Sequence, residues 1–455
     1  VYKRQGQDRV AHIVTFATIK AKQAIRDAAR VLGLPFSSGD RVAKLMPPMI
    51  LGNTATISEC LSLDEENTSG YSKEFYSASE ELRKQYKNDE EAKQIIDIAL
   101  GLEGLRRQDG IHAAAIVISP DTITKFLPIQ QKGSNAEIVT QYEMHTVEQL
   151  GLLKMDFLGL RNLSIVDRTL ELIGSESLDI DNLKLDDEKT FKLFAEGKMT
   201  GVFQLESRVA QSTSRSLKPK RFEDIVALVA LIRPGPLGAG MHNEFADRAN
   251  NRKEIEYLHS DLESILNETY GVILYQEQVM QIAEKIAGFN LQEADNLRVA
   301  MGKKIPKVME EQRKKFTDGA VSNNYSEQFA IELFDQIAYF AGYGFNKSHS
   351  VPYALLAYQT AYLKANYPAE YIAACLTAVK RDKDRTAIFL SEARDMGVKV
   401  STPDINLSSS DFTVNDNEIL FGLSAVRNVG DITADKIVSV SYTHLTLPTK
   451  AGGEV

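Results

Sequence analysis

The run Gly151-Leu-Leu-Lys-Met-Asp-Phe-Leu-Gly-Leu160 places one ammonium and one carboxylate inside an otherwise apolar segment of strand length. Because side chains alternate along a strand, Lys154 and Asp156 share one face, and the apolar side chains are expected to pack on the other. Those apolar residues are Leu153, Met155 and Phe157. Burying a lone acid is costly, so Asp156 requires a hydrogen bond, a cation or a metal. This segment fits two interpretations equally well: a site for a metal-bound polyphosphate, and a structural ion pair at a sheet edge.

The pattern on the amino-terminal side of this run predicts a sheet that is interrupted by helices. A strand is predicted over Val10–Phe16, and a polar, mostly helical stretch follows over residues 34–105. Strand patterns then return at Ala113–Ser119, Ile138–Tyr142 and Leu150–Phe157. A sheet that is left for a helical insertion and then entered again indicates an α+β fold.

After Asn162 almost every apolar pattern has the helical period of 3.6 residues. The clearest helices are predicted at Phe222–Leu231, Gln276–Ala287, Leu291–Met301, Glu327–Phe340, Pro352–Asn366 and Ala369–Val379. An extended segment is predicted at Phe412–Phe421, and another helix begins after Asn428.

The composition is that of a soluble globular protein with about three domains on the usual length prior. The chain has 455 residues and a net charge of -9, which argues against a uniformly basic nucleic-acid surface but allows a local basic groove. Cys60 and Cys375 have no metal-ligand spacing, so a reducing compartment is expected. No apolar stretch approaches the ~20 residues that span a bilayer, so a cytoplasmic protein without a membrane partner is predicted.

Cationic and polar residues gather near predicted helix starts. Arg233 lies on a proline-rich turn, Arg298 precedes Lys303 and Lys304, and the segment Gly342-Tyr-Gly-Phe-Asn-Lys-Ser-His-Ser350 is rich in polar side chains between glycines. Each feature alone fits helix capping or a dipole interaction. Together with Lys154 and Asp156, these residues suit a nucleoside triphosphate with metal on one side and cations on the other. Phosphate-binding glycine loops, dinucleotide fingerprints and zinc-ligand spacings are absent from the sequence.

Long motifs in a fixed order carry a resemblance to a known family. They are Gly101-Leu-Glu-Gly-Leu-Arg-Arg-Gln-Asp-Gly-Ile-His-Ala-Ala-Ala115, the Lys154–Leu160 run, Val202-Phe-Gln-Leu-Glu-Ser207, Phe222-Glu-Asp-Ile225, Arg233-Pro-Gly-Pro236, Tyr275-Gln-Glu-Gln-Val-Met280, Gly342-Tyr-Gly-Phe-Asn-Lys-Ser-His349 and Tyr362-Leu-Lys-Ala-Asn-Tyr-Pro368. Over Gly6–Val440 the chain resembles the bacterial replicative DNA polymerases of the C family, the polymerase III alpha subunits. The wording Arg106-Arg-Gln-Asp-Gly-Ile-His112 is most similar to actinobacterial members.

The resemblance implies a palm of the nucleotidyltransferase type with a mixed sheet, split by a helical thumb and followed by large helical fingers. The implied boundaries are palm at 6–33 and 106–165, thumb at 34–105, fingers at 166–410 and the start of a following domain at 411–440. Residues 1–5 and 441–455 resemble translated adapter sequence, so non-native ends of a truncated piece are expected.

The same resemblance assigns site residues. Asp156 is implied to be one of three palm aspartates that hold two Mg²⁺ ions, with Lys154 and Arg298 touching the triphosphate. The implied nucleotide pocket is shaped or lined by Arg233, Asn346 and Lys347, with Ser348 and His349 against the incoming sugar. Sequence-independent contacts to the DNA backbone are expected from the helical ridge Lys22, Arg26 and Arg30 and from Lys303 and Lys304. A solvated helix face is the alternative for the ridge.

The implied reaction is attack of a primer 3′-hydroxyl on the α-phosphate of a deoxynucleoside triphosphate, directed by a template. A sliding clamp and a clamp loader are the implied partners of the full-length protein. The family's other two aspartates lie in an Asp-x-Asp motif upstream of Val10, which this sequence lacks, so the chain alone is predicted to be inactive.

Some features depart from the family pattern. Asp179-Ile-Asp181 and Asp382-Lys-Asp384 have the Asp-x-Asp spacing but are predicted to cap helices or lie in turns. Val299 stands where many relatives carry a second basic residue. The alternatives to a polymerase fragment are a non-catalytic paralogue that binds primer–template DNA and an untemplated nucleotidyltransferase.

Overall fold

Two long strands, β1 (Val10–Thr18) and β2 (Arg106–Ile118), form the centre of a five-stranded sheet in the computed structural model. They pair antiparallel, with Val10 opposite Ile118 and Thr18 opposite Arg106. Apolar residues of both strands, such as Ile13 and Val117, are fully buried in a core on one face of the sheet. The burial of this face pins the register, because a slip by one residue would turn the apolar set toward water.

Three short strands complete the sheet: β3 (Ile129–Gln130), β4 (Val139–Thr140) and β5 (Leu153–Asp156). The strand order is β3-β4-β1-β2-β5, so β5 lies at an edge. Since β4 runs parallel to β1 while the other pairs are antiparallel, the sheet is mixed. The predicted α+β class with a mixed sheet is therefore confirmed.

The chain divides into two units, Val1–Gly159 and Leu160–Val455. The structure describes residues 1–49, 54–62, 72–131, 133, 136–174, 178–303, 306–341 and 344–444. In the described residues, no helix has both the length and the apolar character needed to cross a membrane.

Helices in the first unit fill the predicted insertion between β1 and β2. The helices of this unit are α1 (Tyr2–Gln5), α2 (Ala21–Val31), α3 (Phe36–Ala43), α4 (Ile57–Leu61), α5 (Ser72–Ala78), α6 (Glu80–Asn88), α7 (Glu90–Leu102) and α8 (Met144–Gln149). The alanine-rich face of α2, including Ala24 and Ala28, is buried against α3 and α7. These small side chains allow close helix packing, and they leave the polar face of α2 exposed.

The second unit is almost entirely helical, as predicted. Its helices are α9 (Arg161–Ile173), α10 (Glu188–Glu196), α11 (Arg208–Leu217), α12 (Phe222–Leu231), α13 (Pro234–Gly238), α14 (Met241–Ala249), α15 (Glu263–Leu266), α16 (Gln276–Ala287), α17 (Leu291–Lys303), α18 (Pro306–Ser322), α19 (Glu327–Ala341), α20 (Lys347–Asn366), α21 (Pro368–Val379), α22 (Lys383–Asp395) and α23 (Asp431–His444). One core surrounds α12 and α20, and a second lies among α16, α17, α18 and α19.

Helix α20 begins five residues before the predicted start at Pro352. The side chain of Asn346 accepts a hydrogen bond from the His349 amide and caps the helix, so residues 347–350 form its first turn. Pro352 lies inside the helix, where its ring nitrogen cannot donate to the carbonyl of Ser348. The proline thus removes one hydrogen bond from the first part of the helix and does not mark the helix start.

The predicted extended segment near the carboxyl end is a hairpin of β6 (Thr413–Asn415) and β7 (Glu418–Leu420). Its two-residue loop, Asp416 and Asn417, has positive φ at both positions. That geometry is the hairpin turn whose twist matches the flanking strands, and Asp and Asn tolerate it better than other residues with a side chain.

Candidate functional site

The predicted pair in the first unit is formed. Lys154 Nζ lies 2.8 Å from Asp156 Oδ2, which confirms that the two side chains share one face of β5. The hydrogen bond from the ammonium to this carboxylate raises the pKa of Lys154 above its ordinary value of 10.5. The Asp156 side chain is 53% exposed, so one carboxylate oxygen holds Lys154 while the group remains accessible to a ligand.

The expectation of an apolar side packed against a core is wrong for this strand. Leu153 is 58% exposed, Phe157 is 51% exposed, and Met155 is also exposed. The physical reason is the position of β5 at the sheet edge, where β2 is its only partner among the described strands. An edge strand of four residues lacks the neighbours that would cover both of its faces, so the acid is not buried either.

Carboxylate oxygens are ligands that Mg²⁺ prefers, so Asp156 fits a magnesium site as one ligand. Within the described ranges, however, no group of three or more His, Cys, Asp or Glu side chains could hold a metal. The two Asp-x-Asp sequences do not supply one, because Asp179 caps a short 3-10 helix and Asp382 caps α22. The capping prediction for both is confirmed, and the described residues do not form a two-metal site.

In the second unit, the segments before α16 and α20 pair with each other. Tyr275 and Phe345 form a parallel bridge, in which the Phe345 amide donates to Leu274 O and the Gln276 amide donates to Phe345 O. The Gln276 side chain also donates to the Gly344 carbonyl at 3.3 Å. This bridge brings the starts of two helices side by side, so their first-turn residues belong to one region.

Two predicted arginines lie at this bridge. The Arg233 guanidinium is 4.3 Å from the centre of the Phe345 ring and donates from Nε to Ala230 O at 2.8 Å. Burial lowers the pKa of Arg233 below its ordinary value. Arg298 Nη1 lies 3.5 Å from Gln276 Oε1, at the outer limit of a hydrogen bond, and its Nε binds Asp295 at 2.8 Å.

The first turn of α20 contributes the remaining polar residues. Glu277 accepts the Lys347 amide through both carboxylate oxygens, and Lys347 Nζ lies 2.6 Å from Glu268 Oε2. Ser348 and His349 are exposed, and the Ser348 hydroxyl donates to the Asn346 side chain. The structure therefore groups Arg233, Arg298, Asn346, Lys347, Ser348 and His349 around one bridge in the second unit.

The predicted DNA-contacting residues are less free than the sequence suggested. Arg26 Nη2 lies 2.9 Å from Asp40 Oδ1, and Arg30 binds Asp27 at the same distance. Lys22 is exposed and forms no ion pair among the described residues. Lys303 ends α17, but its side chain and the whole of Lys304, Gly342 and Tyr343 lie outside the described residues.

Sequence reasoning missed the acids and amides that hold the cations. Gln276 and Glu277 were quoted in the Tyr275–Met280 motif without a role, and Glu268 was not singled out. The sequence did contain a signal for Gln276 and Glu277: they form a polar pair at a helix start, directly after a buried, strand-like segment. For Glu268 no local signal existed, because its partner Lys347 is 79 residues away.

Family models match most of the chain in successive segments. Residues 1–159 match the bacterial DNA polymerase III alpha NTPase domain, and residues 162–324 match the bacterial DNA polymerase III alpha subunit finger domain. Residues 397–443, which include the β6–β7 hairpin and most of α23, match a helix-hairpin-helix motif.

Curated relatives agree with these matches. The chain is 43% identical to DNA polymerase III subunit alpha of Mycobacterium tuberculosis over 93% of its length, 44% identical to that of Escherichia coli over 95%, and 44% identical to that of Thermus aquaticus over 96%. It covers 36%, 37% and 35% of these relatives, respectively, or about a third of their length. Because these identities are so similar, they do not assign the chain to the actinobacteria or to another bacterial lineage. The chain belongs to the family of bacterial DNA polymerase III alpha subunits.

Proposed function

We propose that this chain supplies the nucleotide-binding part of template-directed DNA synthesis within a longer protein. The observation that carries the proposal is the grouping of Arg233, Arg298 and Lys347 at the paired starts of α16 and α20. Three cations close to these helix starts suit the charge of a triphosphate. In this proposal the sheet of the first unit is the palm, its helical insertion is the thumb, and the second unit carries the fingers.

Three of the proposed phosphate-contacting cations are already held by carboxylates, which bears on how a triphosphate would bind. Arg298 is paired with Asp295, Lys347 with Glu268, and Lys154 with Asp156. These ion pairs are partly exposed and therefore weak, so a phosphate with several charges can replace the carboxylates. The pairs would keep the cations oriented before the nucleotide arrives.

We further propose that Asp156 contributes one oxygen ligand to a magnesium site in the longer protein. When bound, Mg²⁺ would stabilise charge on the transferring phosphate. The residues of this chain orient the substrate: Lys154 and Arg298 would contact the phosphates, while Ser348 and His349 would lie against the sugar. One carboxylate supplies too few ligands to hold two ions, so we propose that the chain alone does not extend a primer.

Primer extension tests this proposal. In the longer protein with Mg²⁺, we expect Asp156→Asn to lower kcat at least ~10³-fold, since a metal ligand is lost. Asp179→Asn is the matched control, because it removes an exposed acid that only caps a short helix, and it should retain full activity. The chain alone should give no extended product, whether it carries the original sequence or Asp156→Asn.

The melting temperature of the chain distinguishes two roles for Asp156: a metal ligand, and a member of a structural ion pair. Because the Lys154–Asp156 pair is exposed, Asp156→Asn should change the melting temperature of the chain by less than ~2 °C. Full activity of Asp156→Asn in the longer protein would refute the proposal. Template-dependent extension by the chain alone would refute its inactivity, and primer–template binding without extension by the longer protein would favour the non-catalytic paralogue.

A further inference from the structure

A row of rings lies along the start of α20. Phe345, His349 and Tyr353 are four residues apart, so their side chains follow one another on the same side of the chain. The ring centres of Phe345 and His349 are 5.6 Å apart, and those of His349 and Tyr353 are 4.5 Å apart. The exposed imidazole of His349 is therefore held between two aromatic rings.

Phe203 extends this row into the core. Its ring centre lies 5.3 Å from that of Tyr353, and its side chain is buried. The backbone around Phe203 is fixed by polar side chains of α20 and α21. Thr360 Oγ1 accepts the Phe203 amide, Tyr371 donates to Gly201 O, and Lys364 donates to Thr200 O. The inner end of the row is thus anchored, while His349, between Phe345 and Tyr353, is exposed to solvent.

We propose that Tyr353 and Phe203 are positioning residues that fix the His349 imidazole and thereby set discrimination between deoxyribonucleotides and ribonucleotides. The inference rests on the proposed function, in which His349 lies against the incoming sugar. A side chain that excludes a 2′-hydroxyl must keep one rotamer, because rotation would vacate the space it occupies. An exposed histidine changes rotamer rapidly unless its neighbours restrain it. Here the restraint comes from the rings on either side.

Nuclear magnetic resonance of the chain, labelled at histidine ring carbons, tests the positioning directly. In Tyr353→Leu we expect the His349 ring-proton signals to move toward positions typical of mobile histidines, because the ring 4.5 Å away is lost. Tyr353→Phe keeps the ring and should leave the signals in place. Phe191→Leu is the matched control, since it removes a ring from the same core that contacts Tyr358 and not Tyr353.

Nucleotide selectivity of the longer protein tests the consequence. The ratio of kcat/KM for a deoxyribonucleotide to that for the matching ribonucleotide should fall about 3- to 10-fold in Tyr353→Leu, the range expected for loss of one aromatic pair. Phe203→Leu should lower the same ratio by a smaller factor, because it acts through Tyr353. Tyr353→Phe and Phe191→Leu should keep the original ratio even if they lower the melting temperature.

Two outcomes distinguish the inference from the function on which it rests. If His349→Ala leaves the selectivity ratio unchanged, the proposed contact of His349 with the sugar is wrong. If His349→Ala lowers the ratio while Tyr353→Leu does not, the contact stands and the positioning role is overturned. Equal movement of the His349 signals in Tyr353→Leu and Phe191→Leu would also overturn it, since the effect would then be a general loss of packing.

Discussion

At the scale of single residues, Lys364 illustrates how a buried charge serves the fold. Its side chain is 1% exposed, and its ammonium contacts the carbonyls of Lys198 and Thr200 and the carboxylate of Glu392. Burial lowers the pKa of Lys364 from its ordinary value of 10.5, and Glu392 opposes this shift. The ammonium satisfies three acceptors at once, which fixes the loop that leads to Phe203.

Lys364→Met is expected to lower the free energy of unfolding by about 3–5 kcal/mol, because Glu392 would remain partly buried without its cation. Urea denaturation of the chain, followed by circular dichroism, measures this change. The double variant Lys364→Met with Glu392→Leu should recover most of the loss. A single-variant loss below ~1 kcal/mol would show that the ion pair does not hold the loop.

At the scale of secondary-structure elements, α18 approaches α16 at Gly319. A Cβ atom at this position would lie 2.2 Å from the carbonyl oxygen of Ala287, and the neighbour is backbone, which cannot rotate away. We expect Gly319→Ala to destabilise the second unit by about 1–3 kcal/mol through overpacking. Gly101→Ala is the control, because it lies in α7 with open space around it, and it should stabilise by about 0.5–1 kcal/mol. Thermal melting of both variants measures these changes. An unchanged melting temperature in Gly319→Ala would refute the close approach of α18 to Ala287.

The carboxyl-terminal helix α23 is held by Asp431, its first residue. Lys380 Nζ lies 2.6 Å from Asp431, and Arg381 contacts the second carboxylate oxygen. The hydrogen bonds from Lys380 and then Arg381 lower the pKa of Asp431 below its ordinary value of 3.8. Because its pKa is lower in the folded state than in the unfolded state, the ionised Asp431 carboxylate stabilises the fold. This contribution is fully present above about pH 4 and is lost as the pH falls through the pKa of the folded state.

A carbon-detected titration of aspartate carboxyls is expected to give an Asp431 midpoint below 3.8. Lys380→Ala should move this midpoint upward, and amide exchange across Thr413–Leu420 should become faster in that variant, because Lys380 also binds Asp411. An Asp431 midpoint at or above 3.8 in the original chain would contradict the ion pair.

How far the sequence predicted these elements depends on what determines each feature. The helix Phe222–Leu231 was predicted with its observed ends, because Pro234 and the local apolar pattern act over a few residues. The start of α20 was missed, since the cap at Asn346 outweighs the local signal of Pro352. The candidate site residues were predicted from long motifs, and their roles stay predictions. Their partners depend on chain crossings that no local pattern encodes, as with Glu268 and Lys347.

At the scale of the whole molecule, the net charge of -9 means that the proposed binding of DNA would depend on local cations. Of the predicted ridge, Arg26 and Arg30 are engaged by Asp40 and Asp27, while Lys22 projects into solvent. That this ridge contacts DNA stays a prediction. Within the ridge, Lys22 is the residue most accessible to a phosphate, because Arg26 and Arg30 are already paired with carboxylates.

Lys22→Ala should reduce the slope of log affinity against log salt by about 0.9, the value for one lost phosphate contact. Arg26→Ala should leave the slope unchanged and lower the melting temperature, because it breaks the link between α2 and α3. Fluorescence anisotropy of labelled primer–template DNA across a potassium chloride series provides the slope. A larger slope change for Arg26→Ala than for Lys22→Ala would reverse this ranking.

Because β5 lies at the edge of the sheet, the orientation of the Lys154–Asp156 pair depends on the register of one short strand pairing. Only four pairings with β2, from Leu153 opposite Ile118 to Asp156 opposite Ala115, determine which way these side chains point. A slip of one residue would send both charges to the opposite face of the sheet. Any strand that paired with the outer side of β5 would double the number of aligned positions. A strand that paired with this edge would therefore also hold the orientation of the acid more firmly.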